Sequence, residues 1–319
     1  MTPRTLPAGP QRAPFALALT AMLVVLTASS AIQAAPTVDE LIAKGQSLMA
    51  EGKAKKAAKQ FRRAVEASEG ESLDALLGLA QASLRAGESR DAVEASQQVL
   101  ATTRDPAARL TAYQVLGSGH YDLAIRDREF PSRDTLDAAA EAYREAQALG
   151  RERGIHTPSY SLALVLSELD DPAGARDLLR QFPFEQLAPA VATQARQLLC
   201  QVKRRLPTEP LAREPVDWEE EGLWQPRRVS SLPPPFPTTP GGRLVQGVFK
   251  FQIVYDTEGC AHEVELVEHP PVGPNQDPAE AFNLDPTIEA LRSQVYEPAL
   301  LNGEPVPFRG KFNFDTEIQ

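Results

Sequence analysis

Alanine and proline are segregated along this chain of 319 residues, and the segregation limits what each part can form. Residues 37–205 contain 31 Ala and 6 Pro, whereas residues 206–319 contain 6 Ala and 17 Pro. Alanine favours helices and lets two of them cross closely, whereas proline interrupts both helices and sheets. The chain is therefore predicted to contain two differently built domains, a number that its length allows.

Charge and cysteine content exclude several classes of protein. The chain has 33 Lys and Arg against 43 Asp and Glu, a net charge of −10. A nucleic-acid-binding protein needs a basic face to displace counterions from phosphates, so no nucleic-acid partner is expected. Two cysteines are too few for a disulfide framework or a four-thiolate metal site. Hydrophobic residues make up 42% of the chain, which excludes wholesale disorder.

The first 34 residues have the composition of an export signal. Arg4 and Arg12 are followed by an uncharged stretch that begins with a short apolar core and continues with small residues. This pattern predicts a signal peptide, cleaved after Ala31 or Ala34, and hence a periplasmic protein whose net charge becomes −12. The alternative is an uncleaved inner-membrane anchor facing the periplasm, although a spanning helix needs about 20 apolar residues. Membrane association is expected only in that case.

Residues 37–206 carry a repeated helix-pair pattern. Apolar and small residues recur at helical spacing, and the pattern returns after about 35 residues with its breaks at Gly52 and Gly87. Small residues stand where two helices would cross, and Phe61 is the larger residue that fills the gap in the first unit. A helix pair with a period near 34 residues resembles the tetratricopeptide repeat (TPR). The first domain is therefore predicted to be an all-α, TPR-like repeat array.

Two further units and a closing helix complete the predicted array. The third unit is interrupted by an insertion at residues 126–134, the fourth turns at residues 170–172, and residues 187–206 form the helix that covers the last apolar face. Such arrays present a concave surface, formed by the first helix of each pair, that usually binds peptides or other domains. A spacer that only holds the next domain away from the membrane is the alternative, and the sequence does not decide between them.

Residues 207–240 are predicted to form a proline-rich linker. They contain nine prolines, and because proline fixes φ and lacks an amide donor, neither a helix nor a strand is expected to run through them. The run at residues 233–237 is alternatively a docking ligand for an aromatic groove. Trp218 and Trp224, the only tryptophans in the chain, are candidates for pinning the linker onto a neighbouring domain.

Residues 241–319 begin with the pattern of a β-hairpin. Residues 247–255 and 263–267 alternate between apolar and polar side chains, as strands with one buried face do. The connection at residues 256–259 is a tight turn, in which Gly259 is suited to a positive φ.

A helix and a last strand are predicted to follow the hairpin. Asp285 is a plausible N-cap, with Pro286 in the first turn of the helix. A turn at Asn302-Gly303 precedes a last strand from Val306 to Phe314, whose apolar alternates include three phenylalanines. The second domain is therefore predicted to be a small α+β domain.

Motifs within residues 227–319 resemble the C-terminal domain of the TonB energy-transducer family. The features that carry the resemblance are Pro235-Phe236-Pro237, a strand led by Gly247, Tyr296-Glu297-Pro298-Ala299, and Asn302-Gly303-Glu304-Pro305-Val306. The resemblance implies an antiparallel sheet with one main helix. The chain departs from the family in a longer loop at residues 268–283, and in Val295-Tyr296, where the family usually has Phe after a Trp or similar residue.

The resemblance implies protein–protein recognition. In this family the domain meets the periplasmic plug of outer-membrane transporters, in a mode similar to the addition of a strand to a sheet edge. The last strand would receive a segment of an envelope protein or outer-membrane transporter through its backbone, while its phenylalanine rings serve the core. The residues implied in partner binding are Val306, Phe308, Arg309, Gly310, Lys311, Phe312 and Glu297.

Neither energy transduction nor catalysis is favoured. The family's transducers have Ser and His positions in an N-terminal membrane helix, whereas the apolar segment here contains no His. A periplasmic interaction protein is the main interpretation, and a TonB-type energy transducer acting in transport across the outer membrane is the alternative. The four His residues are split between the domains, and no nucleophile, metal or phosphate-binding motif is found. No catalytic residue, metal site or cofactor is therefore predicted.

Cys200 and Cys260 fall in different predicted domains. In an oxidising compartment they could form a disulfide that staples the array to the second domain, but two unpaired thiols are an equally open prediction.

Overall fold

The computed structural model describes residues 36–126, 132–229, 233–274 and 276–315. The predicted signal peptide lies outside these ranges, as does most of the predicted insertion in the third repeat unit. None of the helices within the described ranges is long and apolar enough to cross a membrane.

The first part of the described chain is an array of helix pairs. The helices are α1 (Val38–Ala50), α2 (Ala54–Ala67), α3 (Leu73–Arg85), α4 (Ser89–Thr102), α5 (Pro106–Ala124), α6 (Arg133–Arg151), α7 (Thr157–Glu168), α8 (Pro172–Arg180) and α9 (Pro189–Arg204). Each helix packs against the next, and the short connections make neighbours antiparallel. The predicted closing helix is α9, and its Leu198, Leu199 and Val202 belong to the same buried cluster as Leu179 of α8. The predicted helical repeat array is confirmed.

Glycines make room for aromatic rings between neighbouring helices of the array. A Cβ atom at Gly45 of α1 would lie 2.7 Å from the Phe61 ring, and one at Gly78 of α3 would lie 2.3 Å from it. The Phe61 side chain on α2, which is 2% exposed, therefore fills a space that exists only because both neighbours lack a side chain. Gly117 and Tyr143 repeat this arrangement between α5 and α6. The predicted gap-filling role of Phe61 is confirmed.

The second part of the described chain forms two small sheets and two helices. The strands are β1 (Val216–Asp217), β2 (Leu223–Trp224), β3 (Val248–Tyr255), β4 (Ala261–Glu268), β5 (Ala299–Leu301), β6 (Glu304–Val306) and β7 (Phe308–Asp315); the helices are α10 (Pro278–Ala281) and α11 (Asp285–Arg292). One sheet has the strand order β1-β7-β3-β4 and the other β2-β5-β6. The antiparallel core of the first sheet, β7-β3-β4, follows the predicted hairpin and last strand, and the small α+β region is present as predicted.

One face of the larger sheet supplies the core of this region. Antiparallel pairing of β3 with β7 places four pairs of residues side by side on that face: Phe249 with Phe314, Phe251 with Phe312, Ile253 with Gly310, and Tyr255 with Phe308. Phe312 is partly buried, and the other side chains of this set are nearly or fully buried. Burial of large aromatic groups on one face is what stabilises a sheet of this size.

The last strand and the last helix differ from prediction in their bounds. A single strand from Val306 to Phe314 is wrong, because Pro307 separates β6 from β7 and the two strands belong to different sheets. Proline has no amide hydrogen to donate to a ladder, which explains the break. The predicted N-cap at Asp285 is also wrong: Leu284 is the N-cap and Asp285 lies in the first turn, where its carboxylate faces the positive end of the helix dipole.

The proline-rich segment contains two short strands, contrary to the prediction that none would form there. Val216–Asp217 pairs in parallel with β7, so the sheet is not purely antiparallel, and Leu223–Trp224 pairs with β5. Two-residue strands need only a few donors, so they fit between prolines that would interrupt a longer ladder. Further on, the Thr287 hydroxyl donates to the Pro235 carbonyl at 2.9 Å. The proline-rich segment therefore packs against the second part of the described chain, and it does so over much of the segment's length.

A disulfide and an ion-pair network join α9 to the turn between β3 and β4. Cys200 and Cys260 are bonded, and both residues are buried. Beside them the Lys203 ammonium pairs with the carboxylates of Asp256 and Glu258, and Arg180 donates to Glu258 at 2.8 Å. The described residues from Thr37 onwards form one compact unit, which agrees with this junction.

Candidate partner-binding site

The outer edge of β7 is only partly covered by the rest of the described chain. The N–H groups of Val216 and Trp218 donate to the carbonyls of Pro307 and Arg309, at N···O distances of 3.0 and 3.1 Å. Backbone groups of alternate residues point to the same side of a strand. The N–H and C=O groups of Lys311 and Asn313 therefore face the same side as the Arg309 carbonyl, and no described strand pairs with them there.

The two faces of β7 differ in chemistry. Phe308 and Phe314 point into the core, where they are 0% and 4% exposed, and Phe312 is partly buried with them. Arg309, Lys311 and Asn313 alternate with these residues and lie on the opposite face. The interpretation that the phenylalanine rings serve the core is confirmed. The backbone edge of β7 and its basic side chains lie outside this core.

A cavity of about 310 Å³ opens beside this edge. Its lining comes from β3, β7, Tyr296, the end of β1 and the residues after it: Asp217, Trp218, Glu219, Ile253, Tyr255, Tyr296, Arg309, Gly310, Lys311 and Phe312. Gly310 adds no side chain to this lining, and a Cβ atom there would make an ordinary van der Waals contact with Tyr255 Cε2 at 3.4 Å. The cavity combines aromatic walls with a rim that carries both acidic and basic side chains.

Aromatic packing fixes the walls of this cavity. The Trp218 ring lies 5.5 Å from that of Phe308 and 6.0 Å from that of Tyr296, and the Tyr255 and Phe308 rings stack at 4.7 Å. Burial raises the pKa of the hydroxyl groups of Tyr255 and Tyr296, so both stay neutral at physiological pH. Trp218 thus pins the proline-rich segment to the second domain, as proposed for it, whereas Trp224 is 50% exposed.

β1 is a segment of this chain that already pairs with the β7 edge. Asp217 lies directly opposite Arg309, and the Arg309 guanidinium donates to its carboxylate at 3.1 Å. Arg213, just before β1, donates to the Pro305 carbonyl at 2.6 Å. A short segment is therefore held on β7 by backbone hydrogen bonds together with an ion pair.

The structure brings only some of the sequence-predicted residues to the edge. Arg309, Gly310, Lys311 and Phe312 line the cavity, and Phe308 lies under Trp218. Val306 is buried in β6, in the other sheet. Glu297 forms an ion pair with Arg227 at 3.0 Å and is not part of the cavity lining.

Sequence reasoning missed Asp217 and Tyr296 as parts of this site. The alternation of apolar and acidic residues at Val216-Asp217-Trp218 is the signal that could have indicated a strand inside the proline-rich segment. Within the described ranges, no group of three or more His, Cys, Asp and Glu residues is placed to hold a metal ion.

The array has a surface cavity of its own. A shallow depression of about 290 Å³ lies between α1 and α3, which are the first helices of their pairs, next to Phe61 of α2. Its lining mixes apolar, amide and charged side chains: Gln46, Met49, Phe61, Asp74, Leu77, Gly78, Gln81 and Arg85. The first helices of the array therefore share a surface depression of mixed chemistry.

Several solved structures are similar to this chain at low sequence identity, whereas no family model and no curated protein matches it. A thermophilic TPR protein of Thermus thermophilus is 22% identical and covers 53% of this chain and 82% of its own, with a TM-score of 0.41. The MamA protein is 18% identical over 52% and 81%, with a TM-score of 0.43. A putative kinesin light chain of Podosopora anserina with TPR-like repeats is 16% identical over 52% and 85%, with a TM-score of 0.42.

Proposed function

We propose that this chain is a periplasmic, non-enzymatic interaction protein that binds an extended segment of an envelope protein by strand addition to β7. The backbone edge at Lys311–Asn313, with which no strand of the described residues pairs on the side away from β3, carries the proposal. An exposed edge is a ready template for pairing with another chain, and proteins usually cover or blunt such edges. Here the neighbouring positions already hold a short added strand, so the edge is competent to pair.

The helical array anchors the C-terminal domain and contributes a second binding surface. The disulfide and the Lys203 ion pairs tie α9 to the β3–β4 turn, at the far side of β3 from β7. The array is thereby attached without obstructing the β7 edge. The similarity of residues 227–319 to the TonB C-terminal domain gives the proposal its partner class, an envelope protein or an outer-membrane transporter segment.

Site-specific crosslinking tests strand addition in the intact, exported protein. A photoreactive amino acid at Lys311 is expected to capture a partner, and Asn313→Pro is expected to abolish the capture. The Asn313 N–H points away from β3, so proline there removes a donor for the partner while the β3 ladder keeps its own hydrogen bonds. Asn313→Ala keeps the backbone donor and should capture normally. Capture that survives Asn313→Pro would refute strand addition.

N-terminal sequencing of the native protein tests the location. A periplasmic protein is expected to begin at Ile32 or Ala35 and to fractionate without the membrane. An intact N-terminus in the membrane fraction, together with impaired uptake of a large nutrient on deletion of the gene, would replace this proposal with a TonB-type transducer.

A further inference from the structure

We propose that the cavity beside Gly310 is a side-chain pocket that makes the β7 edge selective for an extended segment of alternating apolar and acidic residues. The inference rests on the proposed strand addition and names the sequence class of the partner. The volume of this cavity, about 310 Å³, falls at the lower end of the range of about 300–1,000 Å³ that is typical of ligand pockets.

The protein's own β1 provides the pattern. Val216, Asp217 and Trp218 are apolar, acidic and apolar in turn. Asp217 pairs with Arg309 on the polar face of the sheet, whereas Trp218 packs on Phe308 on the aromatic face. Alternate residues of the added strand are therefore held in two ways, by an ion pair on the polar face and by aromatic packing on the other face.

The unoccupied part of the edge repeats the same two chemistries. A residue of an added strand that faces the side of Gly310 and Phe312 would place its side chain into the cavity, against the rings of Tyr255 and Tyr296. Its neighbours would face the opposite side, next to Lys311. An apolar group is therefore favoured at the first position and a carboxylate at the next.

Charge supports an acidic neighbour. Arg309 already has Asp217 as its partner, whereas Lys311, within the described part of the chain, has no carboxylate in ion-pair contact and is exposed. Opposite charges on directly facing strand residues stabilise the pairing, and like charges destabilise it. Gly310 is the other determinant, because a larger side chain there would occupy the cavity.

Four peptides test the pattern on the full, disulfide-bonded protein. The probes are fluorescein-labelled VDVDVD, the composition-matched VVVDDD, SDSDSD and VKVKVK, with affinity measured by fluorescence anisotropy. VDVDVD is expected to bind about tenfold more tightly than SDSDSD, which keeps the carboxylates but has no apolar side chain to bury in the cavity. VVVDDD should also bind more weakly than VDVDVD, because it has only one Val–Asp junction and so can match the pattern in only one register.

Charge reversal and cavity filling test the two determinants separately. Lys311→Glu should weaken VDVDVD and strengthen VKVKVK, whereas Lys59→Glu makes the same charge change on an exposed position of α2 and should alter neither. Gly310→Leu should remove the preference for VDVDVD over SDSDSD, with circular dichroism as the check on folding.

The outcomes separate this inference from the proposed function. Equal binding of VDVDVD and SDSDSD, with binding abolished by Asn313→Pro, would overturn the pocket while strand addition stands. If no peptide binds, the inference fails, and crosslinking at Lys311 then decides independently whether strand addition itself survives.

Discussion

The sulfur atoms of Cys200 on α9 and Cys260 after the β3–β4 turn are joined, across a separation of 60 residues in the sequence. The pair is surrounded by Val295 and Val229 in a small buried cluster. A crosslink between distant positions restricts the unfolded chain more than a local one does. The array and the sheet are therefore coupled by a covalent bond and by a shared apolar cluster.

Removal of the disulfide is expected to lower the free energy of unfolding by about 2–4 kcal/mol. The test is the double substitution Cys200→Ala with Cys260→Ala, measured by urea denaturation. A reducing agent should destabilise the native protein and leave the double variant unchanged. If the two proteins unfold at the same urea concentration, the bond contributes no stability.

The ion pairs at the junction predict loss of stability in acid. Burial alone would raise the pKa of Glu258, but its hydrogen bonds and ion pairs with Arg180 and Lys203 outweigh burial and lower the pKa below 4.5. A lowered pKa in the folded state gives stability that is present above the unfolded value and is lost as pH falls through the folded value. Glu258→Gln is expected to cost about 2 kcal/mol at pH 7, and the difference from the native protein should shrink below pH 4.5.

Urea unfolding of both proteins between pH 3 and pH 7 measures this effect. Asp177→Asn is the control, because Asp177 is exposed and faces only Arg176 among the described residues. A constant difference between the native protein and Glu258→Gln across the range would contradict the predicted titration.

Gly259→Ala is expected to lower the free energy of unfolding by about 3 kcal/mol or more. Gly259 has φ +81°, and a Cβ atom there would lie 2.1 Å from the Tyr296 carbonyl oxygen, which is backbone and cannot turn aside. Gly303→Ala is the matched control, because φ is +85° but no atom lies within 4 Å of the added carbon. It should cost about 1 kcal/mol. Equal losses in the two variants by urea denaturation would show that the contact with Tyr296 is unimportant.

Gly78→Ala is expected to destabilise the array by about 2 kcal/mol, because the added methyl overlaps the Phe61 ring. Phe61→Leu alone should also destabilise, since it leaves a void. The double variant should lose less than the sum of the two, because the smaller side chain makes room for the methyl. Gln81→Ala, at an exposed position of the same helix, should change stability by less than about 0.5 kcal/mol. Additive losses would refute the packing relationship.

Features set by local pattern were predictable from the sequence. The breaks at Gly52 and Gly87 separate the helices of the first two pairs, with φ of +72° and +75°. Gly259 and Gly303 likewise occupy the positive-φ positions that their turns require. Each of these depends on a residue and its immediate neighbours, so no knowledge of the tertiary structure was needed.

Features that combine distant segments were not predictable in the same way. The cavity beside Gly310 is built from β3, β7, Tyr296, the end of β1 and the residues after it, which no local pattern connects. β1 itself is two residues long, so the alternation at Val216-Asp217-Trp218 is too brief to identify a strand by itself. The bond between Cys200 and Cys260 likewise depends on how α9 docks, and spacing in the sequence does not determine it.

The position of α9 has a consequence for any attempt to isolate the C-terminal region. A fragment that begins at residue 207 would lack Cys200 and Lys203, leaving the Cys260 thiol free and the carboxylates of Asp256 and Glu258 without their ammonium partner. Val295 would lose part of its apolar cover at the same point. A fragment that begins before Pro189 would keep all of these groups. An isolated C-terminal fragment would therefore need to include α9, although α9 is the last helix of the array.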